Sequence, residues 1–115
     1  MAIKFAYAIQ FVSDMDQSIH FYRDVLGFNL LFQSPEWTEF ATGETRLALH
    51  PASEQNPAGK MQVGFHVPNL QEFVRTQSAQ GLIFTQAPRL EGGTSIARFK
   101  GPDGIEYSIS ESNGG

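Results

Sequence analysis

The sequence predicts an α+β fold of paired β-α-β-β-β units, and three observations carry that expectation. The chain states one pattern twice: Ala8-Ile9-Gln10-Phe11-Val12-Ser13-Asp14-Met15 is answered by Val63-Gly64-Phe65-His66-Val67-Pro68-Asn69-Leu70. Asp14 and Asn69 fall in register, at a period close to half of the 115 residues. Each copy then reads as an alternating strand, a capping Asp or Asn, and an amphipathic helix that stops at a glycine, Gly27 or Gly81. Short extended segments follow each helix. Two copies are too few for a solenoid, so two half-domains are expected to bury their apolar faces together.

The elements can be justified in order. Over Ile3 to Val12, Phe5, Tyr7, Ile9 and Phe11 share one strand face, and Ala6, Ala8, Gln10 and Val12 share the other. Asp14 caps a helix on which Met15, Ile19, Tyr22, Val25 and Leu26 recur at helical spacing, and Gly27 ends it. Extended segments over 28–33, 37–41 and 46–50 are separated by Ser34-Pro35-Glu36 and Thr42-Gly43-Glu44. Residues 51–60, with two prolines and a glycine, read as the linker between repeats of about 1–50 and 61–111. The second repeat runs strand 61–67, helix 70–80, then strands near 82–86, 95–99 and 106–111. Gly92-Gly93 reads as a hairpin turn, since no lysine or helix follows to make a phosphate loop. The tail from Ser112 to Gly115 is expected to fray. Phe21, Phe40, Phe65, Phe73 and Phe99 suit the seam between helix and sheet and are read as core.

Composition narrows the function. One domain over 1–115 can bury a sizeable core, whereas two independent domains would each be too small. A net charge of −4 argues against a nucleic-acid partner. No apolar run has membrane-span length, and Met1-Ala2-Ile3-Lys4-Phe5 lacks the regions of a signal peptide, so no membrane and a cytoplasmic setting are expected. Without cysteine there is no disulfide, thiol nucleophile or thiolate metal site. No nucleophile elbow supports a serine triad.

The string Asp14-Met15-Asp16-Gln17-Ser18-Ile19-His20-Phe21-Tyr22-Arg23-Asp24-Val25-Leu26-Gly27-Phe28 resembles the first helix of the vicinal oxygen chelate superfamily, and Pro102-Asp103-Gly104 resembles the turn before its last strand. That superfamily includes glyoxalase I, extradiol dioxygenases, fosfomycin-resistance enzymes and bleomycin-binding proteins. The resemblance implies that the two units lay their sheets into a curved mixed sheet cup with helices on the outer face. It also implies a homodimer, and in enzymatic members a divalent metal held by histidines on the first strands and glutamates on the fourth.

Spacing from the caps and the final turn puts Tyr7, Ala48, Gln62 and Ser108 at those four positions. None is a good divalent ligand, so no metal and no cofactor are expected. His50, His66 and Glu106 lie on the same faces at displaced positions, and leave a displaced divalent metal site as the alternative. With neighbouring strands taken as antiparallel, Gln62 faces Ser108, and His66 sits about 13 Å along its strand from the expected metal position. His20 is read as a helix-surface group.

Alternation instead assigns ligand-binding positions to Tyr7, Phe11, Trp37, Arg46, His50, Gln62, His66 and Ser108, in company with Ile9, Glu39, Arg98 and Glu106. Aromatic walls with a few polar groups suit a small-molecule pocket. Trp37 suits ligand stacking or a dimer contact equally. Arg46 suits a ligand anion or a bridge to Glu39 or Glu44. Two function classes follow. One is a metal-free protein that binds a small organic molecule. The other is a metal-dependent lyase of the glyoxalase kind or a dioxygenase-like enzyme, with His50 and Glu106 as its proton-handling catalytic residues.

Overall fold

Both helices begin at the residues that cap them. Asp14 Oδ1 accepts the Gln17 N–H at 3.0 Å, and Asn69 Oδ1 accepts the Glu72 N–H at 3.0 Å. Each cap satisfies a donor that the helix cannot satisfy itself and contributes about 1 kcal/mol. The structure, a computed structural model, describes residues 3–112. Residues 113–115, most of the tail expected to fray, lie outside them.

The first repeat contains β1 (Lys4–Val12), α1 (Met15–Ile19) running on as a π-helical turn (His20–Val25), β2 (Asn29–Gln33), β3 (Thr38–Ala41) and β4 (Arg46–Pro51). The second contains β5 (Met61–Val67), α2 (Leu70–Ala79), β6 (Ile83–Glu91), β7 (Thr94–Lys100) and β8 (Glu106–Glu111). The fold is α+β, with two β-α-β-β-β modules of identical topology. In strand order these read β2-β3-β4-β1 and β5-β8-β7-β6, each a mixed sheet. The chain divides into two compact units, Tyr7–Gln62 and a second that joins residues up to Ala6 to those from Val63 on. Among the described residues, no helix is long and apolar enough to cross a membrane.

Each unit packs its helix on one face of its sheet. In the Tyr7–Gln62 unit, Val12, Ile19, Phe40 and Leu49 form the buried core, with Met15, Tyr22, Phe28, Leu30 and Leu47 against it. In the other unit the core is Val67, Leu70, Phe73, Ala97, Phe99 and Ile109. The C-terminus of α2 closes with the Leu82 N–H on the Gln77 carbonyl and the Gly81 N–H on that of Ser78. That pairing needs a left-handed residue, which Gly81 supplies at φ +98°. The β6–β7 hairpin turns through Gly92 and Gly93, both at positive φ (59° and 83°), as the sequence anticipated.

Four details depart from expectation. First, β5 and β8 are parallel, with Gly64 opposite Ser108 and His66 opposite Ser110, so Gln62 does not face Ser108. The helix returns the chain before three alternating strands, which makes the fourth strand run with the first. Second, the first helix widens after Ile19, and the Leu26 N–H reaches back five residues to the Phe21 carbonyl at 3.0 Å. Phe21, two residues on from buried Ile19, falls on the opposite side of the helix and is 47% exposed rather than core. Third, β6 continues through Pro88 to Glu91 instead of ending near Gln86. It pairs only with β7 in its unit and carries register shifts, the setting in which a strand tolerates proline. Fourth, the linker is not free-running. Phe11 donates its N–H to the Lys60 carbonyl at 2.9 Å and accepts the Gly59 N–H at 2.8 Å.

Candidate functional site

In the Tyr7–Gln62 unit, the residues that alternate with the helix-side core occupy the opposite face of the sheet: Tyr7, Ile9 and Phe11 on β1, Arg46, Ala48 and His50 on β4. Trp37, immediately before β3, joins them. A tight turn pins it, since Ser34 Oγ accepts the Trp37 N–H and donates to the Trp37 carbonyl, both at 3.0 Å. Three ring contacts link these residues. Tyr7 and Trp37 meet edge to face at 5.1 Å between centroids, Phe11 and His50 at 5.3 Å, and Trp37 and His50 at 6.3 Å. Phe11, Ala48, Ile9 and Tyr7 are buried, so half-buried Trp37 and His50 are the accessible members.

His50 has a defined tautomer. Its Nδ1 lies 2.8 Å from the Pro51 carbonyl oxygen, which can only accept, so Nδ1 carries the proton. In the neutral ring Nε2 therefore keeps its lone pair for another partner. Arg46 bridges to Glu39 at 3.3 Å. Of the two roles the sequence left open for Arg46, this is the cross-strand pair.

In the unit that contains α2, the face opposite that helix is polar. Ser108, Ser110, Arg98 and His66 alternate there with core residues Ile109, Phe99, Ala97 and Val67. Ser108 and Ser110 are buried. Glu106 accepts the Thr85 hydroxyl at 2.6 Å. His66 pairs with Ser110, four residues along β8 from Glu106, which separates the two by about 13 Å. His66 and Glu106 are thus not brought together. Gln62, at the start of β5, is buried. Sequence reasoning missed Ser110, which alternation along β8 places on the same face as Ser108, and the Gln86–Arg89–Glu91 cluster, whose last two residues lie beyond the expected end of β6. There Glu91 Oε2 accepts from Arg89 Nε at 2.8 Å and from the Gln86 amide at 3.3 Å. Burial pushes the Glu91 carboxyl up, but the Arg89 and Gln86 hydrogen bonds and the charges of Arg89 and Arg98 outweigh it, and its pKa falls.

A metal can be tested against the donor set. A phenol, a methyl group, an amide and a hydroxyl, from Tyr7, Ala48, Gln62 and Ser108, do not fit a divalent cation that wants imidazole and carboxylate. Among the described residues, no three His, Asp or Glu side chains gather to hold one. His20 lies on the surface, 2.9 Å from Asp24. The Arg23 guanidinium beside Asp24, with smaller help from His20, holds its carboxyl down to about 2 against the cost of desolvation. An open depression of about 610 Å³, lined by Ser13, Asp14, Met15, Asp16, Gln33, Ser34 and Pro35, touches none of the candidate ligand residues. Asp14 is already committed there to its cap.

The model of the Glyoxalase/Bleomycin resistance protein/Dioxygenase superfamily matches residues 4–109. No curated protein matches the chain. Among solved structures, the hypothetical protein BH1468 from Bacillus halodurans is similar at 18% identity and a TM-score of 0.81, over 97% of this chain and 96% of that one. The methylmalonyl-CoA epimerase of Mycobacterium tuberculosis is similar at 18% identity and a TM-score of 0.75, over 94% of this chain and 87% of that one. A variant of the Streptomyces coelicolor methylmalonyl-CoA epimerase, in complex with 2-nitronate-propionyl-CoA, is similar at 14% identity and a TM-score of 0.78, over 95% and 94%. At such identities these likenesses show the fold alone.

The depressed acidity of Glu91 gives a pH-dependent contribution to stability. A carboxyl whose pKa is lower folded than unfolded stabilises the fold above the unfolded value, here near 4.5, and loses that contribution as the pH falls through the folded value. Glu91→Gln should therefore be less stable than wild type at neutral pH, by about 1 kcal/mol or less. Urea denaturation should show the gap closing as the pH drops below 4.5.

Proposed function

We propose that this chain, which belongs to the Glyoxalase/Bleomycin resistance protein/Dioxygenase superfamily, binds a small organic molecule with a planar group and does so without a metal. The observation that carries this reading is the contact of Tyr7, Trp37 and His50, rings brought from three different stretches of chain onto one sheet face. A planar ligand gains most at such a panel, where edge-to-face ring contacts add about 0.5–1.5 kcal/mol each to the burial of apolar area. His50 Nε2, left to accept by the Nδ1 bond to Pro51, accepts a hydrogen bond from a hydroxyl or amide of the ligand. The Streptomyces coelicolor epimerase in complex with 2-nitronate-propionyl-CoA supports the reading to the extent that a protein of the same fold holds an organic ligand.

A second reading has one observation in its favour. The tautomer of His50 that lets Nε2 accept a hydrogen bond also lets it take a proton from a substrate. The chain would then be an enzyme with His50 as its base. The binding reading leads because no carboxylate orients His50: Nδ1 bonds a backbone carbonyl.

Trp37, the sole tryptophan, reports binding directly. Catechol, benzamide and nicotinamide titrations, corrected for absorbance, should include at least one that quenches its fluorescence saturably. His50→Gln should weaken that ligand about tenfold, the loss of one hydrogen bond in a shielded site. Glu54→Ala, on an exposed stretch of the linker, should leave it unchanged. Quenching that never saturates with any of the three contradicts the reading.

The reading includes a homodimer in a cytoplasmic setting. Leu90, Ile83 and Val25 stand 75%, 64% and 61% exposed, large apolar groups that a second copy would cover. Light scattering at micromolar concentration should give twice the chain mass, and a monomer would contradict the pairing.

A further inference from the structure

Arg98 stands on the face of β7 that turns away from α2, because its neighbours Ala97 and Phe99 pack into the helix-side core. In the strand register it lies opposite Ser108 on β8 and Gln86 on β6. Arg98 itself is half-buried, and Ser108 beside it is buried. Its Nε is shielded from solvent and reaches no acceptor among the described residues. The Glu91 carboxylate feels the Arg98 charge, but the hydrogen bonds it accepts come from Arg89 and Gln86.

A guanidinium does not shed its proton, so a shielded N–H without an acceptor keeps the full cost of its desolvation. A carboxylate or phosphate oxygen offsets that cost through a charge-assisted hydrogen bond, stronger than the one a neutral acceptor makes. The planar edge formed by Nε and one terminal nitrogen matches the two oxygens of a carboxylate or phosphate, and bonds of that kind are among the stronger ones available. A serine hydroxyl in the adjoining strand position supplies a further donor.

We propose that Arg98, with Ser108 beside it, forms an oxyanion subsite that takes the carboxylate or phosphate group of a small molecule. This rests on the small-molecule reading above and adds the charge class taken at this face of its own unit, an anion. The sign is not obvious from a chain with a net charge of −4, and it comes from one guanidinium set among serines.

The test follows the Arg98 Nε–H resonance of isotopically labelled wild-type protein, assigned by its disappearance in Arg98→Lys. Benzoate, benzamide, inorganic phosphate and sodium chloride are titrated at matched ionic strength. Benzoate or phosphate should shift the signal saturably, while benzamide and chloride should not. A stronger response to benzoate assigns a carboxylate and a stronger response to phosphate a phosphate ester; either supports the subsite. Arg98→Gln should weaken binding of the effective anion about tenfold, and the wild-type titration stands if that variant fails to fold. A signal that ignores both oxyanions, or moves equally with chloride, overturns the proposal. If the signal is silent while a neutral aromatic still quenches Trp37 saturably, the oxyanion subsite fails and the aromatic panel survives. A saturable shift with benzoate and no saturable quenching gives the reverse result.

Discussion

The side chains of Asp14 and Asn69 each close the first turn of a helix directly after a strand. Which face of the sheet that helix covers follows from the handed crossover that returns the chain to a parallel fourth strand, β4 beside β1 and β8 beside β5. Each sheet has a single helix to cover it, so one face becomes core and the other is released from the demand for aliphatic packing. Strand alternation then assigns every side chain in turn. Leu49 and Ile109 go to the helix, and His50 and Ser108 go to the opposite face.

The two released faces differ in chemistry. Around Tyr7, Trp37 and His50 the face is aromatic, with an ion pair between Arg46 and Glu39 beside it. Around Arg98 and Ser108 it is polar and carries a guanidinium nitrogen without an acceptor. An aromatic surface gains affinity from area and shape, and a shielded guanidinium gains it from charge. Divalent-metal chemistry demands something else, a set of imidazoles and carboxylates at the first and fourth strands, and Tyr7, Ala48, Gln62 and Ser108 do not provide it.

Much of the fold was legible in the sequence because its signals are local. The Asp14 and Asn69 caps, the Gly81 stop and the Gly92-Gly93 hairpin each declare themselves within a few residues. The faces of β1 and β4 were legible too, since a period of two admits few readings when one set is Leu47 and Leu49. What stayed hidden depends on partners far along the chain. Pro88 reads as a breaker unless it is known that β6 pairs on one side only. Phe21 looks like core by residue type, but two residues on from buried Ile19 it falls on the solvent side of its helix. The parallel pairing of β5 and β8 follows from the path of the whole module, and no single segment announces it. The candidate residues themselves were found by alternation, but their states were not. The bond of His50 to Pro51 and the shielded nitrogen of Arg98 are three-dimensional facts with no trace in spacing.

The central claim is that this member of the superfamily binds its ligand through organic side chains rather than through a metal. Elemental analysis of protein purified without chelator tests that claim most directly. The donor chemistry at Tyr7, Ala48, Gln62 and Ser108 predicts transition metal far below one equivalent per chain. One equivalent of a transition metal, retained through dialysis, would contradict it.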